Sequence, residues 1–142
     1  MIVRSAAIIP FLLLAGSAIA HPGDDNHPHA IDPVSPVFPA AAEFFGVNAR
    51  CSMTFDVTED GGTENICGVC ATTAPAEGPA ADQIAELFVQ SGVMAVNQWR
   101  YAPEDTPFPR NTARFTFHMN GDSKETLPEY PTPVPCESRP VS

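Results

Sequence analysis

The chain has 142 residues, with 17 acidic against 7 basic side chains, a formal net charge of −10, 16 prolines, 9 glycines and 4 cysteines. That balance excludes nucleic acid as a partner and disfavours an anionic membrane surface, because both need clustered Lys and Arg. The length suits one small domain.

Residues 1–20 stand apart from the rest. "MIVR" gives a positive start, "SAAIIPFLLLAG" an apolar stretch, and "SAIA" an A-x-A cleavage site through Ala18 and Ala20. Pro10 and Gly16 break the run, which is shorter than the roughly 20 apolar residues of a membrane span. The segment reads as a cleaved signal peptide, with an uncleaved anchor as the alternative. Cleavage would place the protein in the periplasm, leave no membrane span and remove Arg4, making the product still more acidic.

Residues 21–33, "HPGDDNHPHAIDP", are polar and broken by proline, the pattern of a disordered arm. His21, His27 and His29 cluster there. With a free α-amine they offer ligands for Cu(II) or Zn(II), although no spacing fixes a geometry. A flexible polar arm is the simpler reading, and no resident cofactor or metal is expected.

Residues 34–119 carry the apolar periodicity of a domain. "PAAAEFF" predicts a short helix, with Pro39 at its first position and Gly46 as the left-handed residue just past its end, its apolar side chains capping the core. "RCSMTFDV" alternates, with Cys51, Met53, Phe55 and Val57 on one face and Arg50, Ser52, Thr54 and Asp56 on the other, the period of a half-buried strand. "EDGG" predicts a hairpin turn centred on Asp60 and Gly61, and "TENICGVC" the returning strand. After a Pro- and Ala-rich loop, Asp82 is placed to cap a helix whose apolar stripe runs through Ile84, Leu87, Phe88, Ala95, Val96 and Trp99. Gly92 costs that helix about 1 kcal/mol relative to alanine unless close packing needs it, so it is expected at a contact point. "NTARFTFHM" closes the domain as the clearest strand, with Ala113, Phe115, Phe117 and Met119 facing the core. The order α-β-β-α-β predicts an α+β fold, a small three-stranded antiparallel sheet with helices packed on one face. Residues 120–142 hold a proline-rich tail suited to an extended, polyproline-like course.

An oxidising export compartment makes two disulfides the default for four cysteines. Cys67 and Cys70 match the C-x-x-C spacing of redox and zinc sites. In a strand, however, they point to opposite faces roughly 10 Å apart, beyond the reach of a disulfide. A two-residue turn at Asp60 and Gly61 sets Cys51 directly opposite Cys70, leaving Cys67 on the other face to take Cys136 from the tail. A bulge near Gly62 would shift that register. The alternative is a periplasmic metal-binding or thiol-redox protein using Cys67, Cys70 and the N-terminal histidines. No G-x-S-x-G, H-E-x-x-H or phosphate-loop motif is present, and no enzymatic activity is expected.

The ordered set Phe38, Pro39, Ala42, Gly46, Phe55, Val57 and Gly61, followed by Phe88, Ser91, Gly92, Ala95, Val96, Trp99, Tyr101 and Pro103, resembles the TonB C-terminal domain family across residues 38–119. The resemblance places Trp99 in the core between helix end and sheet. It implies a non-enzymatic periplasmic module that pairs with an extended segment of an outer-membrane receptor or another envelope protein. It also favours the last strand as the pairing edge, with Arg114, Thr116 and His118 outward beside the partner. Full-length energy transducers of the family carry in addition a retained membrane helix and a long Pro-rich spacer, neither of which is evident here. The expected role is therefore peptide binding, and direct motor coupling is left open.

Overall fold

The computed structural model describes residues 28–73, 79–119, 121 and 126–138. The expected signal segment and the histidines at 21 and 27 lie outside that range. The elements run α1 (Ala40–Phe44), β1 (Ala49–Val57), β2 (Thr63–Thr72), α2 (Pro79–Asn97) and β3 (Phe108–Phe117), with short 3₁₀ turns at Pro103–Asp105 and Cys136–Ser138. β1 is central in an antiparallel sheet of order β2-β1-β3. No helix among the described residues is long and apolar enough to cross a membrane. This is the α+β arrangement that the periodicity predicts.

α2 lies over β2 and β1. The core between them holds Cys51, Met53, Phe55 and Val57 from β1, Phe88 and Val96 from α2, and Phe117 from β3, all buried. Burying a side chain the size of Phe55 or Phe88 is worth about 1.5–3 kcal/mol, so this cluster dominates the domain's stability. Two glycines let α2 and β2 close on Met53. A Cβ at Gly68 would stand 2.5 Å from Met53 Sδ, and one at Gly92 would stand 2.9 Å from it. Gly92 is thus the close-contact position its place in the helix implied.

Trp99 sits just beyond the end of α2, half-buried, with Phe55 and Phe115 meeting it edge-on at centroid separations of 5.8 and 5.7 Å. Its Nε1 donates to the Val34 carbonyl at 2.8 Å, so the indole fills the core edge and its polar end is satisfied by backbone.

Several expectations need correction. Helix α2 begins at Pro79, which suits a first turn, and Asp82 lies inside that turn instead of capping it. In α1 Pro39 is the flanking N-cap residue, and of the helix's apolar side chains only Ala42 is buried. Phe44 and Phe45 are exposed because five residues give a single turn with one inward position. β3 starts three residues early at Phe108 and ends at Phe117, where Met119 N–H turns to Asn48 Oδ1 at 2.9 Å. Part of the expected arm is ordered: Ile31 N–H donates to the Arg100 carbonyl at 2.7 Å and the two residues form an antiparallel bridge.

The hairpin is also longer than a two-residue turn. Val57 pairs with Thr63, and the loop closes with Thr58 N–H on the Gly62 carbonyl at 2.9 Å. Gly61 has φ +84°, and a Cβ there would meet the Tyr101 carbonyl oxygen at 2.5 Å. That close approach lets Tyr101 N–H reach the Gly61 carbonyl at 2.9 Å, joining the hairpin to the chain leaving α2.

Two measurements follow. Gly61→Ala combines a left-handed φ with a backbone clash and should cost at least about 1–3 kcal/mol in chemical denaturation. Tyr101 is buried, its phenol oxygen accepting from Asn111 Nδ2 at 3.4 Å, and burial pushes its pKa up to about 12. The unfolded phenol ionises near pH 10, so the stability from keeping Tyr101 neutral is fully present below about pH 10 and is lost as pH rises to about 12. The urea midpoint should fall more steeply across that window for wild type than for Tyr101→Phe.

Candidate functional site

The central strand is covered on both faces. Its second face, Arg50, Ser52 and Thr54, meets the proline-rich tail, which crosses the back of the sheet. Arg50 Nη1 donates to the Pro128 carbonyl at 3.3 Å, Ser52 Oγ to the Pro131 carbonyl at 2.6 Å and Thr54 Oγ1 to the Val134 carbonyl at 3.0 Å. Proline has no N–H, so carbonyls are the backbone handles such a segment offers. These contacts explain why Ser52 and Thr54 are buried although they point away from the apolar core.

Tyr130 is the tail's anchor. The register sets Arg50 opposite Thr116 and Ser52 opposite Arg114. Over that quartet the Tyr130 ring lies 4.9 Å from the Arg50 guanidinium and 5.0 Å from that of Arg114, and its hydroxyl shares a 2.5 Å hydrogen bond with Thr116 Oγ1. Two of the three side chains expected to face a partner, Arg114 and Thr116, are therefore held by the protein's own tail. The third, His118, follows the end of β3, partly buried, with Nε2 shielded and unpartnered among the described residues.

Both disulfides are part of this frame. Cys51 and Cys70 are joined across the hairpin with Cα atoms 4.1 Å apart, and Cys67 is joined to Cys136 with Cα atoms 5.3 Å apart. The four cysteines leave no free thiol, and Cys67 and Cys70 have different partners, which corrects the reading of them as a redox pair. Among the described residues no group of His, Cys, Asp or Glu is placed to hold a metal ion. A shallow cleft of about 890 Å³ opens at the hairpin end beside Asp56, Glu59, Asp60, Glu64 and Arg100.

The edge of β3 is the other feature. Thr73 N–H bonds to the Asn48 carbonyl, which fixes the alternation: even-numbered residues of β1 bond to β2 and odd-numbered ones to β3. Through the β1–β3 register, Asn111, Ala113, Phe115 and Phe117 turn their N–H and C=O groups inward, so Thr112, Arg114 and Thr116 turn theirs to the edge. Asn111 Oδ1 takes the Thr112 N–H at 3.0 Å. Nothing among the described residues pairs with β3 on that side. Beside its first half a cavity of about 250 Å³ opens between Trp99, Tyr101, Ala113 and residues 28–30.

No family model matches the chain, and no curated protein matches it. Among solved structures, the chain is similar to the Pseudomonas aeruginosa TonB C-terminal domain, solved in solution, at 20% identity over 70% of this chain and 94% of that one, with a TM-score of 0.48. It is similar also to the TonB2 protein of Vibrio anguillarum, at 18% identity over 82% and 94%, with a TM-score of 0.43.

The tail's attachment is measurable. Replacing Cys67 and Cys136 together by alanine removes a link spanning 69 residues and should lower stability by about 2–4 kcal/mol, read from denaturant unfolding of the oxidised proteins.

Proposed function

We propose that this chain is a non-enzymatic periplasmic binding module, exported by its signal segment, that takes an extended segment of an outer-membrane receptor or another envelope protein as a fourth strand along β3. The carrying observation is the direction of the Arg114 and Thr116 backbone groups, which point away from β1 to an edge that no described residue pairs with. An exposed edge of this kind is a template for an added chain, with the main-chain ladder supplying affinity. The family-like skeleton from Phe38 to Pro103 supports the same role, as does the route of the tail. The described part of the tail, residues 126–138, crosses the back face to β2, where Cys136 is bonded to Cys67, and does not pair with the β3 ladder.

Side-chain selectivity then has two sources. On the back face the partner would lie beside Arg114 and Thr116, already engaged with Tyr130. On the core face its side chains would approach Phe115 and the cavity at Trp99 and Ala113, a recess of mixed lining that also includes His29, Asn111 and Thr112 and suits an aromatic anchor with a polar end.

Thr116→Pro is the discriminating substitution. The Thr116 N–H faces the edge, so proline there removes a donor from the free ladder while leaving the β1–β3 bonds intact. Crosslinking capture from the native envelope should fall about tenfold or more, with the far-UV spectrum retained. Unchanged capture by the folded variant, with amide exchange across residues 111–119 indifferent to the partner, would remove β3 as the binding edge.

A further inference from the structure

The tail's seat is built to a repeat. The three accepting carbonyls belong to Pro128, Pro131 and Val134, a three-residue step, and the donors are Arg50, Ser52 and Thr54, successive residues on one face of β1. Three residues per turn is the repeat of polyproline II, and its carbonyls are fully available because the helix has no internal hydrogen bonds. Tyr130 sets the register of that repeat, its ring held by two guanidinium groups and its hydroxyl by Thr116. Recognition of this kind reads a backbone period and one aromatic side chain. The covalent link at Cys136 is not part of the contact surface.

We propose that the back face of the sheet is a recognition site for polyproline-II segments carrying a tyrosine, that the protein's own tail is its resident ligand, and that the Cys67–Cys136 bond keeps it there. While the bond is closed the tail is fixed at both ends, and its effective concentration at the face excludes a competing segment. Opening the bond requires a dithiol reductant. One of its thiolates attacks a sulfur of the bridge, and its second thiol closes the reductant's own disulfide, leaving thiols at Cys67 and Cys136. Each bridge joins a buried cysteine to a partly exposed one, Cys51 to Cys70 and Cys67 to Cys136, so the state of both bridges is followed when the tail bond is opened. The freed face then accepts a Pro-rich, tyrosine-bearing segment from another chain. The site is separate from the β3 ladder, being made of side chains on the sheet's face and not of backbone at its edge.

The test uses the full chain and a labelled peptide with the tail's own sequence, TLPEYPTPVP, residues 126–135. In the triple variant Cys67→Ala, Cys136→Ala, Tyr130→Ala the bond is absent and the resident tail lacks its anchor, but the face is unaltered. Fluorescence anisotropy should show saturable binding of the peptide to this variant and none to oxidised wild type at the same concentrations. Adding Ser52→Ala or Arg114→Ala, or replacing the peptide's tyrosine by alanine, should weaken binding by about three- to tenfold, the range of one hydrogen bond or one cation–π contact. No binding by a triple variant that keeps the wild-type far-UV spectrum and a cooperative thermal transition would overturn the proposal. So would equal binding of the tyrosine-free peptide. If the triple variant has no thermal transition, the same titration on Tyr130→Ala protein treated with a mild dithiol decides, with the state of both bridges read by mass after thiol labelling. Absence of peptide binding to protein with only Cys67 and Cys136 reduced would then refute it. Thr116→Pro also removes the hydroxyl that holds Tyr130, so envelope capture is compared with Thr116→Val, which loses that hydroxyl but keeps the ladder N–H, and a loss confined to the proline variant reports on the β3 edge alone.

Discussion

A single carboxylate in the middle of the sheet sets the geometry on which the rest depends. Asp56 accepts the Arg110 N–H at 2.7 Å through one oxygen and Asn65 Nδ2 at 2.9 Å through the other. Both donors' residues have left-handed backbones, Asn65 at φ 49° and Arg110 at φ 56°, and each lies where its strand slips by one residue relative to β1. A bulge residue in that conformation needs compensation, and the carboxylate clips one on each side of the central strand. These hydrogen bonds favour the ionised form and hold the Asp56 pKa below the usual carboxylate range, with the Arg110 N–H contributing most. The contribution is therefore present at neutral pH and fades as the carboxylate is protonated in acid.

The β2 bulge determines which cysteines meet. Near the turn the pairing is Val57 with Thr63, and had that register continued Cys51 would have lain opposite Val69. The slip at Asn65 adds one residue, bringing Cys51 opposite Cys70 in a non-hydrogen-bonded pair, where Cα atoms approach most closely. The same slip leaves Cys67 facing the tail. Both disulfides, and with them the tail's position, follow from where the strand bulges.

The alternation of β1 and β3, the stripe of α2 and the close-packing role of Gly92 were legible in the sequence because each is a local period or a lone small residue in an apolar run. The cysteine pairing came out right through two departures that offset each other: a five-residue loop in place of a two-residue turn, and the bulge at Asn65 that restores the register. The local signature is weak: asparagine tolerates the left-handed backbone, but only the Asp56 carboxylate across the ladder, which takes its Nδ2, marks Asn65 as the position of the bulge. The tail's course was illegible for a related reason. Proline content indicates an extended chain and nothing about what it lies on, whereas Ser52 and Thr54 read as solvent-facing strand positions until the carbonyls that satisfy them are seen. A hydroxyl-bearing row beside an arginine, in a chain with a distant Pro-Glu-Tyr-Pro stretch, was the signal available, and it becomes specific only when the two are brought together.

The two surfaces of β3 divide labour between backbone and side chain. Its ladder groups point along the sheet plane to an open edge, while its polar side chains point out of the plane and are taken by Tyr130. Under the proposed strand addition an incoming chain would gain main-chain hydrogen bonds at that edge without displacing the described tail, and discrimination by Arg114 and Thr116 would be damped because both already have partners. Beside the edge on the core side lies the recess at Trp99 and Ala113, lined also by His29, Asn111 and Thr112. The indole that closes α2 against the sheet thereby also forms one wall of a cavity at the edge. Should β3 take an added strand as proposed, Trp99 would serve core packing and recognition together, since the same indole meets Phe55 and Phe115 and lines the cavity beside Ala113.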